Sequence, residues 1–341
     1  MFSGAKKLIV GIILLVLASS ALLLSDLHHR KRGGPATVNG HLTRKWKLYL
    51  IQYNDVLDVK DSEEGVLEGL RESGLKEGTE YEAKVLNAQG DMATVSALID
   101  SATTGGADMI ITFSTPTLQA AIRRAEKVPI VFTYVASAIV AGAGKSDTDH
   151  LPNVTGVTLG AAYDPMMALL RRDFPQVRRV GTLFVPSETN SVYHRRLLEQ
   201  AAERNGMQVV ALPASTATEV PDAAAALAGR DLDAIVQIPG NLTASAFTSI
   251  AYAAQRARMP VFAFQKQQAL DGALVVLGRD YRDAGHAAGL MAARVMRGED
   301  PARMPFVEYD KTQIIVNLKS ARALGVTFSP ELLKSAKQVI R

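Results

Sequence analysis

The stretch ADMIITFSTPTLQAA, at positions 107–121, contains the features that decide the fold. Positions 109–113 form a short apolar run rich in β-forming residues, which is typical of a buried strand. Ser114 and Thr115 are favourable helix N-cap residues, and Pro116 suits the first turn of a helix. In an open α/β sheet such a turn lies at the carboxyl end of the strand, where ligands bind and where a helix N-terminus presents its N–H groups. We therefore interpret this turn as one wall of a ligand cleft.

The same alternation of strand and helix patterns runs through two successive series. The first series predicts strands at 47–53, 80–86, 109–113 and 129–134, with helices at 62–73, 92–102 and from 116. The second predicts helices at 162–172, 191–205, 222–227 and 244–258, with strands at 179–185, 208–212, 234–238 and 261–264. Such alternation predicts parallel sheets covered by helices on both faces. For 341 residues this indicates an α/β protein of two similar lobes.

The remaining segments are simpler. Positions 137–153 have the composition of a loop. A strand at 274–277, a helix at 284–297 and a strand at 313–317 form a tail that is too short for a third domain. We expect this tail to complete both lobes.

The N-terminus carries a hydrophobic segment. Residues 8–24 are all apolar or small and follow Lys6 and Lys7, a length between that of a signal-peptide core and a short membrane helix. Small residues at 19–21 suit cleavage, but three leucines follow, and positive charges at 28–32 flank the other side. We expect export to the periplasm, with a cleaved signal peptide and a retained inner-membrane anchor both open. Residues 33–45 would be a polar tether.

Charge and cysteine content exclude several classes of function. The net charge is +4, but residues 1–45 carry +6, so the rest of the chain has −2 and no bulk reason to bind nucleic acid. The absence of cysteine excludes disulfides, thiolate metal sites, cysteine nucleophiles and a lipid-bearing cysteine. The six histidines show no metal-ligand spacing, and no Gly-x-Ser-x-Gly elbow occurs. We therefore expect no catalysis, no metal and no cofactor.

Polar turns follow six of the predicted strands, three in each half of the chain. Their candidate ligand-binding residues are Tyr53, Asn54, Ser114, Thr115, Tyr134, Ser137, Asn190, Ser191, Asn241 and Gln265. In a two-lobed α/β protein these strand ends face one another, and their hydroxyl and N–H donors suit a carboxylate or other small anion. For any single turn, helix capping is the alternative. Asp280 follows another strand and suits either a ligand ammonium or hydroxyl, or the N-cap of the next helix.

An ordered set of short motifs resembles one known family. The motifs are NAQGD at 87–91, Thr115-Pro116, PIVFT at 129–133, NVTGV at 153–157, Asn190-Ser191, GRDY at 278–281, VNLKSA at 316–321 and PELL at 330–333. Together they resemble the ABC-transporter substrate-binding proteins of the tryptophan/tyrosine-binding-related group, from about Trp46 to the C-terminus.

The resemblance implies a type I periplasmic-binding-protein fold, with two Rossmann-like lobes joined by three crossovers and closing on a ligand. Residues 46–157 and 281–308 would form the N-terminal lobe, and 158–280 and 309–341 the C-terminal lobe. The protein would be a monomer that binds an amino acid or related carboxylate and delivers it to an ABC permease. By position, Ser114, Thr115, Asn190 and Ser191 would take the carboxylate, Asp280 the α-amino group, and Tyr53 and Tyr134 the side chain.

The chain departs from the family pattern at several positions. VASAI stands at 135–139 where the family often has Thr-Asp-Pro-Val, and acidic residues frequent near Gly240 and Gln265 are absent. With Lys266 present instead, we hypothesise a ligand that carries an extra anionic or carbonyl group. The alternative function is a membrane-tethered ligand-sensing module. Neighbouring permease and ATPase genes would favour transport, and a kinase or cyclase gene would favour sensing.

Overall fold

The computed structural model describes residues 44–341 and, before them, two short paired strands, β1 (Thr37–Val38) and β2 (His41–Leu42). The hydrophobic segment 8–24 and most of the tether lie outside the described residues. Within the described part of the chain, no helix is both long enough and apolar enough to cross a membrane.

The first sheet has six parallel strands. They are β3 (Trp46–Gln52), β4 (Tyr81–Asn87), β5 (Met109–Phe113), β6 (Ile130–Val135), β7 (Val154–Thr158) and β13 (Val307–Glu308), in the order β13-β7-β6-β5-β3-β4. All five residues of β5 are buried, because helices cover both faces of the sheet. The predicted strand at 109–113 is thereby confirmed.

Four helices cover this sheet. They are α1 (Leu57–Glu72), α2 (Met92–Thr104), α3 (Thr115–Arg124) and α10 (Tyr281–Met296). Helices α2 and α3 share a hydrophobic core on one face, whereas α1 and α10 share the core on the other.

The second sheet has seven strands. They are β8 (Arg179–Phe184), β9 (Gln208–Pro213), β10 (Ala234–Val236), β11 (Val261–Ala263), β12 (Val275–Arg279), β14 (Thr312–Asn317) and β15 (Gln338–Ile340), in the order β15-β14-β12-β11-β10-β8-β9. Neighbouring strands are parallel except β12 and β14, which are antiparallel. Parallel neighbouring strands are usually joined by a crossover helix. The chain instead arrives at β14 directly from the first lobe, so β14 can run antiparallel to β12.

Helices cover the second sheet too. They are α4 (Tyr163–Asp173), α5 (Thr189–Arg204), α6 (Val220–Ala228), α7 (Asn241–Ser245), α8 (Phe247–Arg256), α9 (Lys266–Leu270), α11 (Leu318–Leu324) and α12 (Pro330–Ser335). The predicted two-lobed α/β architecture is confirmed. The single helix predicted at 244–258 is wrong, because the chain leaves helical geometry at Ala246 and forms α7 and α8.

The chain passes between the lobes three times: from β7 to α4, from β12 to α10, and from β13 to β14. The second passage takes one residue, Asp280, so α10 begins in the first lobe directly after a strand of the second.

Helices α1 and α10 touch through their backbones. A Cβ added at Gly285 would lie 2.1 Å from the Ser62 carbonyl oxygen, and one added at Gly289 would lie 2.2 Å from the Val66 carbonyl oxygen. Gly65 of α1 meets the carbonyl oxygen of Arg282 in the same way, at 2.0 Å. Only glycine allows this approach, which fixes α10 firmly to the first lobe.

Candidate functional site

A cavity of about 40 Å³ lies between the two lobes. We call it the inner cavity. Its walls are Thr115, Tyr134, Ala136, Leu159, Gly160, Ala161, Asn190, His194, Pro239, Gly240, Asn241, Phe264, Gln265, Leu277, Arg279 and Tyr281. Both lobes contribute, through residues at the carboxyl ends of their strands, as expected for an open α/β sheet. The volume suffices for a few water molecules, so the lobes lie close together.

The first lobe supplies Thr115 and Tyr134. Thr115 is the first residue of α3, and Tyr134 lies near the end of β6 with a left-handed φ of 58°. The Tyr134 and Tyr281 rings lie side by side, with centroids 5.0 Å apart. Burial raises the pKa of both phenols well above the usual value, so both remain neutral hydrogen-bonding groups.

Ser114 lies beside this wall, but its hydroxyl is already hydrogen-bonded to Thr117. Its Oγ accepts a hydrogen bond from the Thr117 amide at 3.4 Å and lies 3.1 Å from the Thr117 hydroxyl. Its φ of 138° is unusual for a residue with a side chain, and it is 1% exposed. The geometry is that of a helix N-cap, the alternative reading of this residue.

The second lobe supplies Asn190, in the first turn of α5, and Asn241, which begins α7. Glu188 holds the start of α7 in place. Its carboxylate accepts hydrogen bonds from the backbone amides of Asn241 at 2.8 Å and Leu242 at 2.9 Å. Burial is the largest effect on Glu188 and raises its pKa, against these hydrogen bonds. Ser191, fully buried, accepts a hydrogen bond from the Val185 amide at 2.8 Å.

His194 lies one turn beyond Asn190 on the same helix. It is 3% exposed, and its Nδ1 has no hydrogen-bond partner among the described residues. Burial lowers its pKa to about 3, so it enters the cavity wall as a neutral ring.

Several hydrogen bonds join the lobes around the cavity. The Asn54 amide donates to the Asn241 carbonyl at 3.1 Å and is also 3.1 Å from the Ser245 hydroxyl. Gln265 donates to the Tyr134 hydroxyl. These contacts describe a closed arrangement of the two lobes.

A charged group also bridges the lobes. Lys266, at the start of α9, forms an ion pair with Asp61 of α1, with Nζ 2.9 Å from Oδ2. Lys266 is therefore paired across the cleft and does not line the cavity.

Asp58, one turn before Asp61 on α1, faces the same helix end. It is 1% exposed, and no described donor has hydrogen-bond geometry to either of its oxygens. The backbone amides of Lys266 and Gln267 lie near enough to lower its pKa slightly. Desolvation, helped by Asp61, raises the pKa of Asp58 to about 7.

Arg279 lies where the three passages between the lobes meet. Its Nε donates to the Gly160 carbonyl at 2.6 Å, on the passage after β7. Its Nη1 donates to the Asp310 carbonyl and, at 2.6 Å, to the Thr312 hydroxyl, on the passage before β14. One guanidinium thus ties all three connections together.

The sequence-predicted residues divide into groups. Those that line the inner cavity are Thr115, Tyr134, Asn190, Asn241 and Gln265. Tyr53 and Asn54 border a wider region of the interlobe space, the outer cleft, which also touches Glu188, Thr189 and Asn241. The others that the structure does not bring to the inner cavity are Ser114, Ser137, Ser191 and Asp280.

Ser137 and Asp280 make local contacts. The Ser137 hydroxyl accepts from the Val140 amide at 3.3 Å. Asp280 caps α10, with Oδ1 accepting from the Asp283 amide at 3.1 Å, while Oδ2 accepts from Gln313 and lies 3.5 Å from the Lys337 ammonium. N-capping, the alternative for Asp280, is what the geometry shows; an ammonium-binding role stays a prediction.

Cavity residues that the candidate set omits include Arg279, Tyr281, His194 and Phe264. Arg279 and Tyr281 flank Asp280 within GRDY, so the strand-end rule that selected Asp280 also points to its neighbours. His194 and Phe264 carry no such signal. Across residues 44–341, no group of histidine, aspartate and glutamate side chains is arranged to hold a metal ion.

Comparison with known proteins points to one family. Residues 54–340 match the family described as ABC transporter substrate binding protein. A tyrosine-binding protein of Clostridioides difficile is 29% identical over 265 residues, which covers 78% of this chain and 76% of the relative.

Solved structures agree with this match. A Streptococcus pneumoniae domain in complex with L-Trp superposes with a TM-score of 0.84 at 25% identity, covering 87% of this chain and 100% of the domain. A ligand-free, open substrate-binding protein of Clostridium difficile gives a TM-score of 0.68 at 28% identity, covering 86% of this chain and 99% of that one. The lower TM-score against an open structure agrees with the closed arrangement of this chain, whose lobes are joined by direct hydrogen bonds.

Proposed function

Because the chain belongs to the family of ABC transporter substrate-binding proteins, we propose that it binds a small carboxylate ligand outside the cytoplasm and delivers it to an ABC permease. The ligand, an amino acid or related organic acid, occupies the inner cavity. The two lobes, 46–157 with 281–308 and 158–280 with 309–341, close over it by bending at the three passages between them.

The observation that carries this proposal is a cavity walled by both lobes. Thr115 and Asn190 come from different lobes, and each lies in the first turn of a helix that begins beside the cavity. Helix N-termini with nearby hydroxyl and amide donors favour a carboxylate. Because both lobes wall the cavity, they must separate for a ligand to enter.

Relatives support the choice of ligand class, since one is named for tyrosine binding and another was solved with L-Trp. The aromatic and aliphatic wall formed by Tyr134, Phe264 and Leu277 suits the apolar part of such a molecule. We further propose that the protein acts as a monomer in the periplasm.

Ligand-dependent stabilisation tests the proposal. Thermal unfolding of the purified protein is followed with a panel of amino acids and small organic acids. A ligand that binds only the folded state, at 100 times its Kd, stabilises it by about 2.7 kcal/mol. Asn190→Ala should reduce the shift strongly, because it removes a donor from the cavity wall.

Ser137→Ala is the matched control, because Ser137 is also a predicted ligand residue but its hydroxyl accepts from the Val140 amide and lies outside the inner cavity. It should leave the shift unchanged. An equal loss in both variants would contradict the inner cavity as the binding site.

A further inference from the structure

We infer that the ligand is an organic acid without an ammonium group, and that Arg279 binds one of its carboxylates. This inference rests on the proposed function and narrows its ligand class. Amino acids are zwitterions and need an acceptor for their ammonium as well as donors for their carboxylate. The inner cavity offers many hydrogen-bond donors, but its wall has no negative charge to match an ammonium group.

The cavity wall contains one cation and no anion. Among its sixteen residues, Arg279 is the charged side chain; none is an aspartate or glutamate, and His194 is neutral. An ammonium group placed here would find carbonyl, amide and phenol oxygens but no carboxylate. An anionic ligand would find a guanidinium.

The two buried acidic side chains among residues 44–341, Asp58 and Glu188, do not line the inner cavity. Both oxygens of Asp58 are enclosed, and its carboxyl lies outside the cavity lining, beside the tyrosine pair of the wall. Glu188 is 7% exposed and is held by the amides of Asn241 and Leu242. Neither carboxylate lines the inner cavity. Asp280 stands between two cavity residues, but its oxygens bind the Asp283 amide, Gln313 and Lys337, so this inference replaces the ammonium-binding role predicted for it.

No carboxylate of the described residues pairs directly with Arg279, although Asp310 and Glu308 lie near enough to favour its charged form. Its hydrogen bonds go to the Gly160 and Asp310 carbonyls and the Thr312 hydroxyl, all neutral, and among residues 44–341 no carboxylate oxygen lies within 4.0 Å of it. Its Nη2 has no hydrogen-bond partner in the same part of the chain. Burial is the largest effect on Arg279 and lowers its pKa, against the more distant charges of Asp310 and Glu308. A ligand carboxylate would supply the missing charge and pair with the planar guanidinium.

The strand order of the first sheet gives the approximate distance between Thr115 and the residue that Arg279 contacts. Thr115 follows β5, whereas Gly160, which Arg279 contacts, follows β7, two strands away. Two strand spacings are about 10 Å. A small organic acid with an aromatic or short aliphatic body can therefore reach from the helix N-termini to Arg279.

Matched pairs of compounds test the absence of an ammonium group. Phenylalanine is compared with 3-phenylpropionate, tyrosine with 3-(4-hydroxyphenyl)propionate, and glutamate with glutarate, by calorimetry and thermal shift on the purified full chain. Each pair differs by the α-ammonium alone. We expect the deaminated acid to bind at least about tenfold more tightly in the pair whose body fits the cavity.

Preference for the amino acid in every pair that binds would overturn this inference while leaving the proposed function intact. If no compound in the panel and no other small acid shifts the unfolding temperature, both would fail.

Variants of Arg279 test the carboxylate contact. Arg279 also ties together the three passages between the lobes, which we call the hinge. The readout is therefore the ratio of the Kd values for an acid and its primary amide, because a hinge defect changes both Kd values by the same factor and leaves the ratio unchanged. In Arg279→Gln the preference for the acid should fall about tenfold or more, since a charge-assisted hydrogen bond is lost.

Thr312→Val is the control, because it removes one hinge hydrogen bond of the same guanidinium without altering a cavity residue. It should keep the wild-type ratio. An unchanged ratio in Arg279→Gln would show that Arg279 serves the hinge alone.

Discussion

We predict that Asp58 makes ligand binding sensitive to pH. Its carboxyl is buried in the closed arrangement between α1 and the N-terminus of α9, which belongs to the other lobe. The ionisable groups that face it are Asp61, Lys266, Tyr134 and Tyr281. Opening the cleft would separate α1 from α9 and return Asp58 to water, where a carboxyl has its ordinary pKa of about 4.

The sign follows from the direction of the shift. Because closure raises the pKa of Asp58 from its ordinary value to about 7, closing takes up a proton whenever the pH lies between these values. Ligand affinity should therefore rise as pH falls through about 7 and level off below about 4. Between pH 8 and pH 6 the closed state gains about tenfold in its equilibrium with the open state.

Calorimetric titration checks this at pH 6 and pH 8, with a ligand whose own ionisation is constant over the range. Wild type should bind about tenfold more tightly at pH 6, whereas Asp58→Asn, which cannot titrate, should have nearly the same Kd at both. Asp55→Asn is the control, because Asp55 is exposed and pairs with Lys60 at 3.0 Å, away from α9. A wild-type Kd that does not change with pH, or an unaltered slope in Asp58→Asn, would refute the role of Asp58 in closure.

Two further predictions concern stability, both measured by urea unfolding. Gly289→Ala places a Cβ 2.2 Å from the Val66 carbonyl oxygen, so overpacking should outweigh the gain in helix propensity and destabilise the protein by about 1–3 kcal/mol. The control Gly229→Ala meets its nearest atom at 3.4 Å and should be neutral or slightly stabilising; equal effects of the two would contradict the close helix contact. Burial lowers the pKa of His194 to about 3, so this residue favours the unfolded state increasingly as pH falls below 6.5. Wild type should therefore lose about 2 kcal/mol of stability relative to His194→Gln between pH 8 and pH 5, whereas groups that both proteins share, such as Asp58, cancel in this difference. Identical pH profiles would show that His194 can ionise in the folded protein.

Local sequence carries much of this fold. Strand β5 and the start of α3 follow from an apolar run, N-cap residues and a proline within ten positions, and each feature acts on its immediate neighbours. The side chains of Thr115 and Asn190 could be placed at the cleft for the same reason. Strand β7, at the edge of the loop region, gives no such signal, because its five residues include Gly156 and two threonines and show little apolar patterning.

Other features depend on distant contacts and leave no local pattern. Ser114 and Ser191 are residue types that serve equally as caps or as ligand donors, and only the positions of the Thr117 and Val185 amides decide between these roles. Arg279 acquires its partners from positions 119 residues earlier and 31 residues later. No rule about spacing brings those carbonyl groups to one guanidinium.

The single-residue passage from β12 to α10 governs the order in which the molecule can assemble. While the chain is being made, the second sheet ends at the exposed edge of β12 until β14 is available to pair with it. The first lobe is equally unfinished, since the face of α1 that touches α10 stays uncovered until residues beyond 281 emerge. Neither half can complete its packing before the residues beyond 281 have been added, so we expect both lobes to finish folding together and late in synthesis.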